Sequence, residues 1–210
     1  LNSMARSKTT SNLFDKKNTA LVVLSHLVLQ GVIGKAERKG CWIIYGCEKN
    51  GKTWFTLKLA KEIAKHERVA YISAEEGLDD SFIGAVKRVG ITSDDDILWD
   101  EYLSVDDIIT KFRKQRSANV IIIDNLTMYS DELKPTEVKK KLLDALPNKL
   151  VIFVAHEERK EPYPAIARMA KKMAKVVFPI EGLKAFVISR FSPGGEMMIN
   201  EDKCEVYWGE

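Results

Sequence analysis

Short apolar runs alternate along most of the chain with longer stretches in which apolar residues recur every three or four positions. The runs lie at 41–45, 68–73, 96–99, 119–123, 149–155 and 176–180. The longer periodic stretches lie near 53–66, 78–90, 104–116, 135–146 and 163–175. Short apolar runs predict strands, and the periodic stretches predict amphipathic helices. Strands that alternate with helices in this way indicate an α/β fold, with a mostly parallel sheet covered by helices on both faces.

Two of the predicted strands, Val120–Ile123 and Leu150–Val154, are apolar without interruption. Strands of this kind are typical of the middle of a parallel sheet, where both faces are buried. We therefore expect the core of the fold to lie between residues 40 and 180.

The pattern changes after Gly182. Three segments there predict short strands joined by turns, namely Lys184–Phe191, Glu196–Asn200 and Cys204–Trp208. The clearest turn is Ser192–Gly195, because proline and glycine favour turns. This pattern predicts an antiparallel extension of the sheet over residues 183–209.

The residues ahead of the core divide into a polar end and an apolar stretch. Residues 1–12 are predicted to form a disordered tail, and 13–210 a single domain. The apolar stretch Ala20–Ile33 predicts a helix over 18–33. Although this stretch resembles part of a signal peptide, it lacks a small-residue cleavage site and is too short to cross a bilayer. We therefore expect a buried or interface helix and no membrane segment.

Composition and charge narrow the class of protein without indicating a ligand. Of the 210 residues, 45% are apolar and 30% are charged, which is typical of a soluble globular domain. The net charge of +3 is too small to indicate a nucleic-acid partner unless basic residues cluster locally. The cysteines, Cys41, Cys47 and Cys204, lack metal-ligand spacing, and their odd number favours a reduced, cytoplasmic location.

The most specific motif is the segment Gly46–Thr53, which reads G-x-x-x-x-G-K-[ST] between a predicted strand and a predicted helix. In such a loop, backbone N–H groups and the helix N-terminus bind phosphate oxygens. Lys52 is predicted to bind the β- and γ-phosphates, and the Thr53 hydroxyl to bind Mg²⁺. The candidate nucleotide-binding residues are Gly46, Cys47, Glu48, Lys49, Asn50, Gly51, Lys52, Thr53 and Trp54. The motif predicts that the chain binds a nucleoside triphosphate.

A second phosphate-site signal is the apolar strand that ends at Asp124. An aspartate in this place helps to hold Mg²⁺ opposite the loop, so Thr53 and Asp124 are the candidate metal residues. The next residue is Asn125 and not glutamate. Families that place the catalytic base directly after this aspartate therefore fit poorly.

A candidate base follows another predicted strand. The segment Arg68–Asp79 contains adjacent carboxylates, Glu75 and Glu76, just after the strand. This segment resembles the second-strand segment of RecA-type ATPases, in which a glutamate activates the attacking water, and it is equally similar to the paired glutamates of the RadA and KaiC branches. The resemblance implies that Glu75 is the base, with Glu76 as its rival. The alternative is that both are solvated residues near a helix N-terminus.

The strand that ends at Val154–Arg159 also resembles RecA-like helicases, in which a polar residue here senses the γ-phosphate. His156 matches that position, and the resemblance implies a catalytic sensor role for it. A histidine that only satisfies hydrogen bonds at a strand end is the alternative.

The segment Phe186–Gly195 resembles the late strand and turn of hexameric replicative helicases of the DnaB and RepA types. Those proteins carry a basic residue that reaches the nucleotide of the neighbouring subunit. Arg190 matches this position, which implies a catalytic role in trans. Lys184 and Arg168 are rival candidates, and a plain surface arginine is the alternative.

The resemblance covers roughly residues 40–192 and is greatest to short, single-domain RepA-like ATPases of plasmids and mobile elements. It implies a homo-oligomer, for instance a hexameric ring, that acts on single-stranded DNA or RNA in replication or recombination with a partner replication protein. We expect the chain to lack the separate N-terminal domain of DnaB-type helicases and the additional domains of RadA, which argues against autonomous helicase activity.

Two segments are candidates for contacting nucleic acid, because RecA-like proteins place their DNA loops after the corresponding strands. The first runs from Asn125 to Lys134, ahead of Lys139–Lys141, and the second from Glu157 to Lys175. Basic groups there could bind phosphates, and Tyr163 could stack on a base. Acidic neighbours offset the charge of the second segment, and its helix is equally well explained by a packed stripe with a solvated lysine face.

Together these features predict a RecA-like ATPase that binds and hydrolyses ATP with Mg²⁺. A nucleotide-switched assembly module with little turnover is the non-enzymatic alternative. A small-molecule kinase is a further alternative, but no arginine-rich lid stands out in the sequence.

Overall fold

The computed structural model describes residues 9–14 and 20–208. Its strands are β1 Gly40–Gly46, β2 Val69–Ser73, β3 Ile97–Asp100, β4 Val120–Asp124, β5 Leu150–Glu158, β6 Glu161–Tyr163, β7 Val176–Glu181, β8 Lys184–Ser189 and β9 Gly195–Met198. Its α-helices are α1 Thr10–Phe14, α2 Leu27–Ile33, α3 Lys52–Ala64, α4 Asp80–Val89, α5 Val105–Phe112, α6 Ala165–Met173 and α7 Glu201–Trp208. A 3₁₀ helix, Leu126–Tyr129, and a π-helix, Val138–Leu143, lie between β4 and β5.

The nine strands of the described part of the chain belong to one sheet. Eight of them lie in the order β3-β2-β4-β5-β1-β7-β8-β9, and β6 pairs with the end of β5. The strands from β3 to β7 in this order are parallel, whereas β8 and β9 are antiparallel to their neighbours. The predicted fold class, a mostly parallel α/β sheet with a C-terminal antiparallel extension, is therefore confirmed.

Two hydrophobic cores lie on the two faces of the sheet because side chains of each strand alternate between the faces. On β1, Trp42 and Ile44 face the core covered by α2, α3 and α4. Cys41 and Ile43 face the other core, which α5 and α6 cover. The parallel strands deliver their carboxyl ends to one edge of the sheet, where ligands of open α/β folds bind.

The predicted last strand, Cys204–Trp208, is wrong, since these residues belong to helix α7. The Asn200 side chain accepts a hydrogen bond from the Lys203 N–H at 2.9 Å and so caps the helix. Glu201 and Asp202 occupy its first turn, where acidic residues are favoured by the helix dipole. These local signals outweigh the short apolar alternation that predicted a strand.

The predicted helix over 18–33 is also too long. Residues 15–19 lie outside the described residues, and α2 begins only at Leu27, with the His26 side chain capping it. Before it, Val22 and Leu24 are buried and Val23 is exposed, an alternation typical of extended chain. The buried Glu62 carboxylate of α3 accepts the Ser25 and His26 backbone N–H groups, which holds this segment out of the helix.

Other predicted elements differ less. The helix predicted over 135–146 is the π-helix between turns, and the one predicted over 163–175 is α6, preceded by the unpredicted strand β6. Of the predicted tail over 1–12, residues 1–8 lie outside the described residues, and Thr10 begins the short helix α1. None of the described helices is long and apolar enough to cross a membrane.

Candidate active site

The predicted phosphate loop leaves β1 at the carboxyl edge of the sheet and enters α3. Gly46 lies so close to β7 that an added Cβ would be 2.3 Å from the Ile180 carbonyl oxygen. Gly51 has a left-handed φ of 94° and caps the N-terminus of α3. The two motif glycines are therefore required for different reasons: close approach at position 46 and backbone conformation at position 51.

Lys52 folds back over this loop. Its Nζ donates a hydrogen bond to the Cys47 carbonyl oxygen at 2.8 Å. Burial lowers the pKa of the Lys52 ammonium, and the nearby Asp124 and Glu75 carboxylates oppose that shift. The cation thus lies in the loop between the backbone and two acidic side chains, where an anionic ligand would improve its electrostatic environment.

Asp124 ends β4 and is held by a residue of the neighbouring strand β2. The Tyr71 hydroxyl donates a hydrogen bond to Asp124 Oδ2 at 2.5 Å. Burial raises the pKa of Asp124 to about 6, although the hydrogen bond from Tyr71 and the charge of Lys52 lower it. A bound cation would favour the ionised carboxylate, which without it is costly in this place.

This geometry predicts that Asp124→Asn stabilises the folded chain while it weakens metal-dependent ligand binding. The pKa of Asp124 in the folded state lies above its ordinary value of 3.8, so the protonated form stabilises the fold at low pH and that stability is lost as pH rises through about 6. Asparagine mimics the protonated form and can still accept the Tyr71 hydrogen bond. Thermal unfolding should show a midpoint raised by roughly 2–6 °C near pH 8, and a smaller difference near pH 4.

The control for this prediction is Asp94→Asn, which changes the same group on an exposed residue of the α4–β3 connection. It should shift the midpoint little at either pH. An Asp124→Asn variant that is less stable than the original chain near pH 8 would contradict the prediction.

Glu75 follows β2 and is held by one side chain from β5 and one from the residue just after β4. Asn125 Nδ2 donates a hydrogen bond to Glu75 Oε2 at 3.0 Å. His156 Nε2 lies 3.1 Å from Glu75 Oε1. The Asn125 amide is itself oriented, because its Oδ1 accepts hydrogen bonds from the Thr127 N–H and hydroxyl. These contacts fix the Glu75 carboxylate at the mouth of the site.

Glu76 has no comparable hydrogen-bond partners among residues 9–14 and 20–208, and its electrostatics differ from those of Glu75. Burial, followed by the charges of Asp79 and Glu75, raises the pKa of Glu76. Asp79 is engaged elsewhere, since its carboxylate accepts the Phe82 N–H at 2.8 Å and caps α4. The contacts with Asn125 and His156 therefore distinguish Glu75 from its rival Glu76.

These groups meet in a cavity of about 740 Å³. Among the predicted site residues, those that line it are Glu48, Lys49, Gly51, Lys52, Thr53, Trp54, Glu75, Asp124 and His156. Gly46, Cys47 and Asn50 complete the loop around it. The volume is within the ordinary range for small-molecule sites.

The structure adds cavity residues that the sequence reasoning missed. Ser81, Ala85 and Arg88 line the cavity from one face of α4, and Lys203 lines it from α7. The spacing of the first three by four and three positions is a helical-face signal that could have indicated them. Lys203 could not have been found in this way, because no helix was predicted there: it lay between the segments Glu196–Asn200 and Cys204–Trp208, both predicted as strands.

Arg190 lies away from the cavity of its own chain. It follows β8, and its N–H donates to the Lys175 carbonyl oxygen at 3.0 Å, next to the start of β7. This is the amino edge of the parallel sheet, opposite the phosphate loop. The rival Lys184 is buried, with its Nζ 5.1 Å from the centre of the Trp208 ring. The role of Arg190 in a neighbouring subunit stays a prediction.

The two segments predicted to contact nucleic acid are both ordered. The first begins with the 3₁₀ helix, where Leu126 and Tyr129 are buried. The second begins with the hairpin β5–β6, whose turn residues Arg159 and Lys160 have left-handed φ values of 53° and 66°. Lys160 pairs with Glu181 at 3.0 Å, which neutralises part of the basic turn. Tyr163 is 44% exposed.

Oxygen donors suited to a magnesium ion are present, but they do not form a complete site. Thr53 and Asp124 line the cavity. Within residues 9–14 and 20–208, no cluster of three or more histidine, cysteine or acidic residues could hold a metal ion. Mg²⁺ prefers six oxygen ligands and usually keeps several waters beside phosphate oxygens. The residues present therefore fit a magnesium ion that arrives with a phosphate ligand.

The sheet topology and the phosphate loop together show that the chain has a RecA-like P-loop fold. The chain is similar to a solved structure titled "ATPase Domain of G40P", with a TM-score of 0.61 over 89% of this chain and 90% of that one. The two sequences are 17% identical, so the likeness shows the fold alone. No curated protein matches the chain.

The particular family is shown by a family model. The model named iSTAND, described as inactive STAND, matches residues 26–164. The chain belongs to the iSTAND family. The match includes the phosphate loop, the strands β2, β4 and β5, and the residues Glu75, Asp124 and His156. The particular resemblance to RepA-like ATPases that the sequence indicated stays a prediction.

Proposed function

We propose that this chain binds ATP with Mg²⁺ in the phosphate loop and hydrolyses it. One observation carries the proposal: Lys52, Thr53, Asp124 and Glu75 line the same cavity although they come from three separate segments. Each is a residue type that phosphoryl transfer to water requires, namely a phosphate-binding cation, magnesium-binding oxygens and a carboxylate base.

In this proposal the backbone N–H groups of the loop and the start of α3 bind the phosphates. Lys52 leaves the Cys47 carbonyl and binds the β- and γ-phosphate oxygens. Thr53 and Asp124 would hold a magnesium ion, and such an ion would supply positive charge that offsets the charge of the phosphates. Glu75 accepts a proton from the attacking water.

Asn125 and His156 position the Glu75 carboxylate for that step. A carboxylate has about four lone-pair sites on its two oxygens, so two hydrogen bonds leave room for a water molecule. His156 contacts the Glu75 carboxylate, so a movement of that carboxylate would be felt at His156. His156 is also the β-sheet partner of Tyr163 in the hairpin β5–β6. This pairing supports a sensor role for His156.

A nucleotide-switched assembly module with little turnover is the second candidate. It is favoured by the description of the family as inactive. It also agrees with the way Asn125 and His156 each engage one oxygen of Glu75. In that case the triphosphate would drive oligomer formation or partner binding without rapid hydrolysis.

Coupling to single-stranded nucleic acid is an extension of the first candidate. The exposed Tyr163 and the Arg159 turn of the β5–β6 hairpin support it, because aromatic and basic groups together bind single strands. In an oligomer, Arg190 of one subunit would reach the nucleotide of its neighbour and stabilise negative charge on the phosphates there.

The binding proposal can be tested on the unaltered chain through its cysteines. Cys47 in the phosphate loop is exposed, whereas Cys41 and Cys204 are buried. Burial also raises the pKa of the Cys41 thiol to about 12, which keeps it unreactive near neutral pH. Saturating ATP with Mg²⁺ should slow alkylation of Cys47 roughly tenfold or more, as mass spectrometry of the labelled chain would measure.

Adenosine without phosphates serves as the matched ligand control and should leave the alkylation rate unchanged. An alkylation rate of Cys47 that is the same with and without ATP would count against nucleotide binding in this loop. Protection in the absence of any ATP turnover would select the switch candidate.

A further inference from the structure

The C-terminal helix α7 contributes to the wall of the cavity that Lys52 also lines. Lys203 of α7 lines the cavity, and its Nζ is 5.7 Å from the centre of the Trp54 ring. Trp54 directly follows Thr53 and lines the same cavity. Lys203 is thus a cation placed at the cavity by an element outside the family match, which ends at residue 164.

The start of α7 is tied to the phosphate loop through the β7–β8 turn. Gly182 donates its N–H to Asn50 Oδ1 at 2.9 Å, and a Cβ on Gly51 would lie 2.7 Å from Leu183 Cδ2. The Ile199 N–H in turn donates to the Leu183 carbonyl oxygen at 2.7 Å. Loop, turn and α7 therefore form one continuous set of contacts.

The other end of α7 is tied to the same turn. Trp208 Nε1 donates a hydrogen bond to the Gly182 carbonyl oxygen at 3.1 Å. The buried Lys184 lies over the Trp208 ring. Because α7 is held at both ends, Lys203 is directed at the cavity by a fixed element and not by a free chain end.

The residues that line the cavity beside the phosphate-binding groups have a different chemistry. Trp54, Leu183 and Ala85 add apolar surface to the lining, and Lys203 adds an ammonium donor. An aromatic ring beside a donor suits the nucleoside part of a nucleotide, which has a flat base and acceptor atoms on the base and ribose. The phosphates are accounted for by Lys52 and the loop.

We infer that α7 forms the outer wall of the nucleotide site and that Lys203 binds the nucleoside part of the ligand above Trp54. The inference rests on the proposed nucleotide-binding function and assigns specificity for the nucleoside to the C-terminal helix. A charge-assisted hydrogen bond from Lys203 then distinguishes a nucleotide from a bare polyphosphate.

The test compares two ligands, ATP and inorganic tripolyphosphate, each with Mg²⁺, by calorimetric titration of the full chain. Lys203→Ala should weaken ATP binding about fivefold to tenfold and leave tripolyphosphate binding unchanged. Lys203→Arg should retain most of the ATP affinity, since it keeps a cationic donor. Lys87→Ala, an equal loss of charge at an exposed site on α4 outside the cavity, should change neither affinity.

The possible results separate this inference from the function on which it rests. If the unaltered chain binds neither ligand, the proposed function itself fails. If it binds ATP and Lys203→Ala binds ATP equally well, or loses both ligands to the same extent, the nucleoside role of Lys203 is wrong. Thermal unfolding of each variant shows whether α7 remains docked, because its loss would lower the midpoint as well as the affinity.

Discussion

Replacing Lys52 with alanine is expected to weaken binding of ATP at least about a hundredfold. The Lys52 ammonium is the cation held in the phosphate loop, where burial strengthens its attraction for phosphate oxygens. Removing it would leave two or three phosphate charges without their main partner. The fold should tolerate the change, because among the described residues the Lys52 side chain forms its hydrogen bond with the carbonyl oxygen of Cys47 in its own loop.

Calorimetric titration with ATP and Mg²⁺ measures this effect, and thermal unfolding checks that the variant is folded. Lys114→Ala is the control, since it removes the same charge from an exposed residue beyond the end of α5. It should bind ATP like the unaltered chain. An affinity of Lys52→Ala within a few-fold of the original would show that the loop does not bind the phosphates and would overturn both candidate functions.

The parts of the fold that sequence could predict are those with local causes. The runs ending at Asp124 and Val154 are strongly apolar and short, so their strand character does not depend on what surrounds them. The C-terminal region could not be predicted in the same way. There, the Asn200 cap favours a helix over a strand. A helix this short also needs a tertiary contact to be stable, and the hydrogen bond from Trp208 to Gly182 provides one.

In the candidate site, too, the sequence predicts what has a local cause and not what depends on the fold. The phosphate loop is a continuous motif, and Gly46, Lys52 and Thr53 could be assigned from spacing alone. The contacts of Glu75 with Asn125 and His156 could not, because they depend on β2, β4 and β5 lying side by side in the sheet. Sequence indicated Asn125 as the residue that was not a glutamate and as the start of a segment that could contact nucleic acid, but not as a partner of Glu75. Its position between Thr127 and Glu75 explains what the amide does instead.

Glu75→Gln is expected to lower the rate of ATP hydrolysis at least about a hundredfold while ATP binding is retained. Glutamine has nearly the same shape, and its side-chain oxygen can still accept one of the two hydrogen bonds. It cannot take a proton from water. The loss should therefore appear in kcat and not in the dissociation constant, as phosphate release and calorimetric titration would measure on the same preparation.

Glu76→Gln is the matched control for that experiment, one residue away and also in the cavity. Burial raises the pKa of Glu76, and it lacks the contacts that hold Glu75, so its replacement should change the rate only a few-fold. A large loss with Glu76→Gln and a small one with Glu75→Gln would transfer the base role to Glu76. If the unaltered chain binds ATP but releases no phosphate, with or without single-stranded DNA, hydrolysis is not its function. The contacts of Asn125 and His156 with Glu75 would then serve to sense the bound triphosphate, as the switch candidate requires.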